Sequence, residues 1–466
     1  MDFAANFITG FDKLIYFCVQ AFIILGTLSV LVVLHEWGHF IVARMNGVRV
    51  LEFSFGMGKL LYGKKWGDTE YQFRLIPMGG FVKMAGDEWE ASKQHAPNPD
   101  EFYGVSASRR LAIVFAGPFM NLILAFVALW VVFYCVGQIH TRPLVGYVDP
   151  NSIAAKAGIQ SGDLIQSLNK NPVDSFETVQ NTIVKNAHQK VSLKIMRGEK
   201  ILDLTLIPES KDFPDLLGDM QSMGDIGIHP YVEAIVGRVM PGKPASKAGL
   251  QAGDKIIQIE NTPVKFWEEM LSIIHNSPDK PLKVIWLRNE NNHEAIIIPE
   301  SQTVGNTSGL SKKTIGLIGI APKFDEKMGF NKNVSLFEAM TRSVEKIGSD
   351  TWLTLRAIKK LILGQMSKDN LMGPVRLAGL VTDVAKSGFF PWLLFLGIIS
   401  LQLAIFNFLP IPALDGGHAV FFIWEIMTGK MVNLRWQDRF TRVGFSMLIL
   451  LFVFVVFNDV ITLFKK

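Results

Sequence analysis

Four stretches of the chain are long and almost free of charge: residues 14–42, 111–137, 389–408 and 443–464. A helix needs about 20 mostly apolar residues to cross a bilayer, so each stretch predicts a membrane span. Between the second and third the pattern changes. Alternation of apolar and polar positions, as in Val191-Ser-Leu-Lys-Ile195 and Leu282-Lys-Val-Ile-Trp286, predicts short strands separated by turns. The loop after the first stretch, Phe53-Ser-Phe-Gly-Met-Gly58 and then Tyr71 through Val82, also alternates and is rich in glycine, which predicts strands and hairpins. Residues 333–386 are amphipathic in places, for example Trp352 to Ile362, and predict a helix lying at the outer membrane surface.

Composition agrees with this segregation. Hydrophobic residues make up 49% and charged residues 19%, where a soluble domain carries nearer a quarter charged. The net charge of +5 comes without a basic run interleaved with aromatics, so nucleic acid is not an expected partner. Lys and Arg concentrate in the loop between the first two spans and in the loop between the last two, the latter holding Lys430, Arg435, Arg439 and Arg442. By the positive-inside tendency both loops face the cytoplasm. The middle region and both termini then lie on the other side. The two cysteines, Cys18 and Cys135, fall in apolar stretches, which excludes a disulfide scaffold and a cysteine-held metal as organising features. The N-terminus lacks the basic start of a cleavable signal and reads as a retained span.

The middle region repeats itself. Ala154-Ala-Lys-Ala-Gly158-Ile-Gln-Ser-Gly162-Asp163-Leu-Ile165 returns 91 positions later as Ala245-Ser-Lys-Ala-Gly249-Leu-Gln-Ala-Gly253-Asp254-Lys-Ile256. Duplication at a fixed period marks a repeated structural unit. The Gly-Asp pair suits a tight turn, because Gly takes φ > 0 without steric cost. The pattern resembles PDZ domains of bacterial envelope proteases, which bind extended peptide ends by adding a strand to a sheet edge. A plain spacer is the alternative.

The chemistry is concentrated in His35-Glu36-Trp37-Gly38-His39, inside the first span. Histidines four apart share one helix face and can both reach one Zn²⁺, with Glu36 beside them as a general base. Ionisable groups in a membrane helix are costly unless paired or ligated, so this placement is itself a signal of function. A third ligand is expected at the same depth. The segment Asn407-Phe-Leu-Pro410-Ile-Pro412-Ala-Leu-Asp415-Gly416-Gly417-His418 ends the third span, on the same side of the membrane as the end of the first. Its prolines break the helix and its glycines permit a sharp turn. Asp415 and His418 both qualify as the third ligand, and His95, in a polar loop, is a weaker candidate.

With H-E-x-x-H in a first span, N-x-x-P-x-P-x-L-D-G in a later one and PDZ-like repeats between, the chain resembles the site-2 protease family of intramembrane zinc metalloproteases along its whole length. The resemblance implies a multi-pass α-helical membrane protein with four transmembrane helices and two inserted α+β PDZ domains. Residues 1–137 would hold the first two spans with a membrane-reentrant β loop at about 46–110. The PDZ copies would occupy 138–225 and 226–325, a membrane-surface segment 326–388, and the last two spans 389–466. It implies His35, His39 and Asp415 as zinc ligands and Glu36 as general base. Asn407, Asn121 (from Gly117-Pro118-x-x-Asn121), Pro410 and Pro412 would serve the substrate or the transition state. Gln402 stands where some members carry Asn. The implied activity is cleavage of transmembrane segments in the inner membrane, near its cytoplasmic side, during a regulated stress response. The implied partners are an anti-sigma factor already trimmed outside the membrane, remnant signal peptides, peptide ends at the PDZ copies, and the lipid bilayer. A membrane-anchored PDZ scaffold with a structural or inactive metal site is the competing reading.

Overall fold

The structure, a computed structural model, describes residues 2–87, 97–215, 217, 219–240, 242–304, 313–323, 329–332, 334–365 and 373–464. The chain divides into two compact units. One comprises Met1–Val136, Val334–Lys359 and Lys368–Lys466; the other comprises Gly137–Asn333 with Lys360–Ser367. The helices in chain order are α1 (Asp2–Met45), α2 (Ala107–Cys135), α3 (Ile153–Lys156), α4 (Phe176–Lys185), α5 (Pro244–Lys247), α6 (Trp267–His275), α7 (Leu336–Ile362), α8 (Pro374–Lys386), α9 (Phe389–Phe408), α10 (Asp415–Thr428) and α11 (Leu434–Phe464).

Four of the described helices are long and apolar enough to cross a membrane: Phe22–Met45 of α1, α2, α9 and Arg435–Asp459 of α11. The third matches the apolar stretch in the sequence residue for residue, because Gly388 and Pro410 bound it on either side. The last begins earlier than hydropathy implies. Residues 434–442 carry three arginines yet continue the same helix. Helix α10 was not legible at all: its apolar residues lie too close to span three, across the proline-containing turn, to be separated by periodicity alone.

Helix α2 is the central column of this unit. Gly38 of α1 crosses it so closely that a Cβ there would lie 2.3 Å from the Ala116 carbonyl oxygen, the small-residue contact by which membrane helices approach. Helix α9 packs against its other side through Gly397 opposite Ala128 and through Ser400 Oγ, which donates to the Asn121 carbonyl at 2.7 Å. Helix α10 is held to it by Arg110, which donates through Nη2 to Glu425 Oε1 at 2.7 Å, with Phe422 buried beneath. Between α1 and α2 run β1 (Val50–Trp66) and β2 (Thr69–Met84), paired antiparallel. They bend on themselves, so Phe53 registers with both Val82 and Tyr71, and Phe55 with both Gly80 and Phe73. The bends fall at Gly56 and Gly58, which have φ of 87° and 84°.

The second unit folds the sequence repeat twice into one pattern. One sheet orders Asn171–Pro172, Leu164–Leu168, Val191–Arg197 and Lys200–Leu206; the other orders Thr262–Pro263, Lys255–Ile259, Leu282–Arg288 and Asn291–Ile297. Helices α4 and α6 cover equivalent positions. The cores correspond: Ile165, Leu168, Val179 and Ile183 in one, Ile256, Ile259, Met270 and Ile274 in the other. The Gly-Asp pair now has a second reason. Asp163 accepts from Arg197 Nε at 2.7 Å and from the Gln160 backbone N–H at 2.9 Å. Asp254 accepts likewise from Arg288 Nε and the Gln251 N–H, both at 2.7 Å. The carboxylate therefore ties the turn to a strand far along the chain, which the sequence pattern alone did not disclose.

Candidate metal centre

His35 and His39 lie in the second half of α1, one turn apart. Their Nε2 atoms approach to 3.2 Å. Asp415 is the first residue of α10, and its Oδ2 lies 3.1 Å from His35 Nε2 and 3.6 Å from His39 Nε2. One ligand atom from each residue falls within 4.8 Å of the others, the only such group among the described residues. Of the three candidates for the third position, the structure brings Asp415 to the pair. His418 sits one turn further along α10, its ring against Phe421. His95 lies outside the described residues.

Asp415 reaches the histidines because the chain turns tightly between α9 and α10. Ala413 takes φ of 72°, a left-handed conformation uncommon for a residue with a Cβ. Gly416 and Gly417 are needed on steric grounds: a Cβ on either would come within 2.0 Å of the Leu409 and 2.4 Å of the Ile411 carbonyl oxygens respectively. Pro412 is wedged against Gly444 of α11, where a Cβ would meet it at 2.1 Å. Pro410 is exposed on the same turn, and Asn407 is half-buried in the last turn of α9. Gln402 donates instead to Thr354 Oγ1 of α7 at 3.0 Å, away from the trio.

The floor of the site is α2. Its Gly117 lies directly beneath both imidazoles: a Cβ there would come within 2.3 Å of His39 Nε2 and 2.7 Å of His35 Nε2. His39 Nδ1 donates to the Ile113 carbonyl at 2.8 Å. The resemblance implied a substrate-side role for Asn121. The structure puts its side chain, 1% exposed, behind the His35 ring, 3.2 Å from Nδ1. The wall opposite is the edge of the β1–β2 sheet. Gly80 brings its backbone against Glu36, where a Cβ would stand 3.6 Å from Cγ, and the Val82 backbone faces the Glu36 carboxylate.

The donor set fits a divalent cation. Asp415 Oδ2 is buried, with the His35 and His39 Nε2 atoms 3.1 Å and 3.6 Å away but no partner in well-aligned hydrogen-bond geometry. Two imidazole nitrogens and a buried carboxylate oxygen gathered within 4.8 Å of one another are a donor set that a cation between them would satisfy. Two histidines and one carboxylate with an open side match the ligand set of catalytic zinc.

Peptidase family M50 matches residues 22–451. A putative zinc metalloprotease of Neisseria meningitidis is 36% identical over 92% of this chain and 96% of its own length. Protease RseP of Yersinia pestis is 34% identical over 96% of this chain and 98% of its own. Regulator of sigma-E protease RseP of Escherichia coli is 35% identical over 93% and 96%. Among solved structures, a PDZ domain of an SdrC-like protein from Listeria monocytogenes is 25% identical over 21% of this chain and 96% of its own, with a TM-score of 0.17. The fold of the middle region therefore stands on its own strands and cores.

Proposed function

The chain belongs to peptidase family M50, and on that premise we propose that it is a zinc endopeptidase cutting transmembrane segments of single-span membrane proteins. The observation that carries the reading is the convergence of His35 Nε2, His39 Nε2 and Asp415 Oδ2 on one point. These three atoms would hold the ion. Zn²⁺ bound there supplies Lewis acidity to water and to a peptide carbonyl. Glu36, adjacent to His35 and at the sheet edge, takes a proton from the attacking water as its oxygen bonds to the carbonyl carbon. It then returns the proton to the amine as the C–N bond breaks.

A peptide bond in a membrane helix is shielded by its own hydrogen bonds, so the substrate must be unwound. The edge strand at 79–84 offers backbone groups beside Glu36 and is suited to hold the unwound segment as an added strand. Asn407, Pro410 and Pro412 line the α9–α10 turn, where Asn407 would contact the substrate backbone. Irregular backbone at that depth is tolerated where it lines a wet cavity.

The name of the Escherichia coli relative points to regulation of sigma-E. The substrate that fits is an anti-sigma-E factor trimmed beforehand outside the inner membrane, with remnant signal peptides as others. The repeated sheets are read as two PDZ domains, near 138–225 and 226–325, facing the periplasm with both termini. They would admit trimmed substrates by peptide binding or by excluding bulky ones. The test uses the purified full chain and a single-span peptide substrate. Cleavage is expected to stop on chelation and to return with zinc. Glu36→Gln is expected to retain zinc and lose cleavage by about 100-fold or more; full activity in that variant would refute the assignment.

A further inference from the structure

We propose that Asn121 is a positioning residue that sets the tautomer of His35: its amide oxygen takes the Nδ1 proton and leaves the Nε2 lone pair for the metal. The inference rests on the zinc reading above and deepens it. A neutral imidazole has one protonated and one bare nitrogen, and only a bare nitrogen can be a ligand. Whatever touches the distal nitrogen therefore decides whether the proximal one can bind.

The two histidines are served by one face of α2. Residues 113, 117 and 121 are four apart, as are 35 and 39, and the helices run antiparallel. Ile113 thus meets His39, Asn121 meets His35, and bare Gly117 lies under both. For His39 the partner is a backbone carbonyl at 2.8 Å. A carbonyl only accepts, so a proton is on Nδ1, and in the neutral ring that can ligate a metal Nε2 is the bare nitrogen.

For His35 the partner is an amide, which offers an oxygen on one end and an NH₂ on the other. With Nδ2 toward the ring at 3.2 Å, the ring proton is forced onto Nε2, inside the trio. Asn121 Oδ1 is then left buried without a partner. A half-turn of the amide places the oxygen on Nδ1, moves the ring proton there and frees Nε2. No atom of the backbone has to shift, because the two ends of the amide are nearly the same size. The residue is held in place from outside the site: Ser400 of α9 donates to its carbonyl at 2.7 Å.

The test measures zinc retained by the full-length protein in detergent across a series of buffered free-zinc concentrations, with thermal midpoints at saturating zinc. Asn121→Leu removes the acceptor at similar volume and is expected to weaken zinc binding about 10- to 100-fold. Asn121→Asp accepts but cannot donate, and is expected to hold zinc at least to within a few-fold of the parent. A Leu variant that binds as tightly as the parent would overturn the proposal. So would an Asp variant as weak as the Leu variant. If the Leu variant does not fold, the Asp variant decides alone, zinc held supporting the proposal and zinc lost overturning it. His39→Ala separates the two levels. Zinc lost there but kept in Asn121→Leu sinks only the role of Asn121. A parent protein that takes up no zinc sinks the metal centre and this inference with it.

Discussion

Asp163 and Asp254 in the duplicated unit and Asp415 in the membrane unit are all placed at turns, yet the molecule treats them oppositely. Asp163 and Asp254 are 0% and 1% exposed, and each meets an arginine through two nitrogens as well as a backbone N–H. Asp415 has a buried oxygen that meets no arginine and no backbone N–H, only the Nε2 atoms of two imidazoles at 3.1 Å and 3.6 Å. A buried carboxylate that is fully answered is a structural tie. One set beside two imidazole nitrogens instead of an arginine belongs to a donor set that suits a cation. Burial alone would rank the structural pair as the more unusual residues; the state of their partners reverses that order.

Neutralising each kind should break the comparison in different observables. Asp415→Asn keeps the shape and removes the charge. Zinc content and cleavage should both collapse, affinity falling more than about 100-fold, beyond the range for outer-shell partners. Retention of stoichiometric zinc would remove Asp415 from the ligand set. Gly117→Ala tests the same site without touching a donor atom. The added Cβ overlaps both imidazole nitrogens, so zinc affinity should drop about tenfold or more, with overpacking costing about 1–3 kcal/mol in a melt. Asp254→Asn in the other unit should lower stability by about 1.5–3 kcal/mol, the range for hydrogen bonds to a charged group. It should leave zinc binding untouched; altered metal content would mean the tie is not merely structural. Lys283→Ala, removing an exposed pair with Glu294, should change stability by less than about 1 kcal/mol and serves as the floor of the scale.

Much of the site was readable because its chemistry is local. His35, Glu36 and His39 share one helical turn, and periodicity suffices to place them on one face. The four candidate spans were readable because crossing a bilayer requires a long apolar run. Asp415 and His418 could not be told apart, since the choice depends on the path between Pro410 and Gly417, where one residue takes a left-handed backbone. The services of α2 were hidden for a different reason. Ile113 acts through its carbonyl and Gly117 through the atom it lacks, and neither leaves a chemical signature in the sequence. Helix α10 was missed because a short apolar helix beside a membrane span adds nothing that hydropathy can resolve.

The amino-acid sequence by itself determined the helices long and apolar enough to span a membrane, the repeat in the middle region and the pair of histidines with their neighbouring glutamate. Those are set by burial of apolar length, by duplication and by helical periodicity, all properties of nearby residues. Only the tertiary structure decided whether Asp415 or His418 joins the two histidines, which helix forms the floor beneath them, and which buried acids are already satisfied. Those depend on distances between segments up to hundreds of positions apart, fixed by the packing of α1, α9 and α10 on α2.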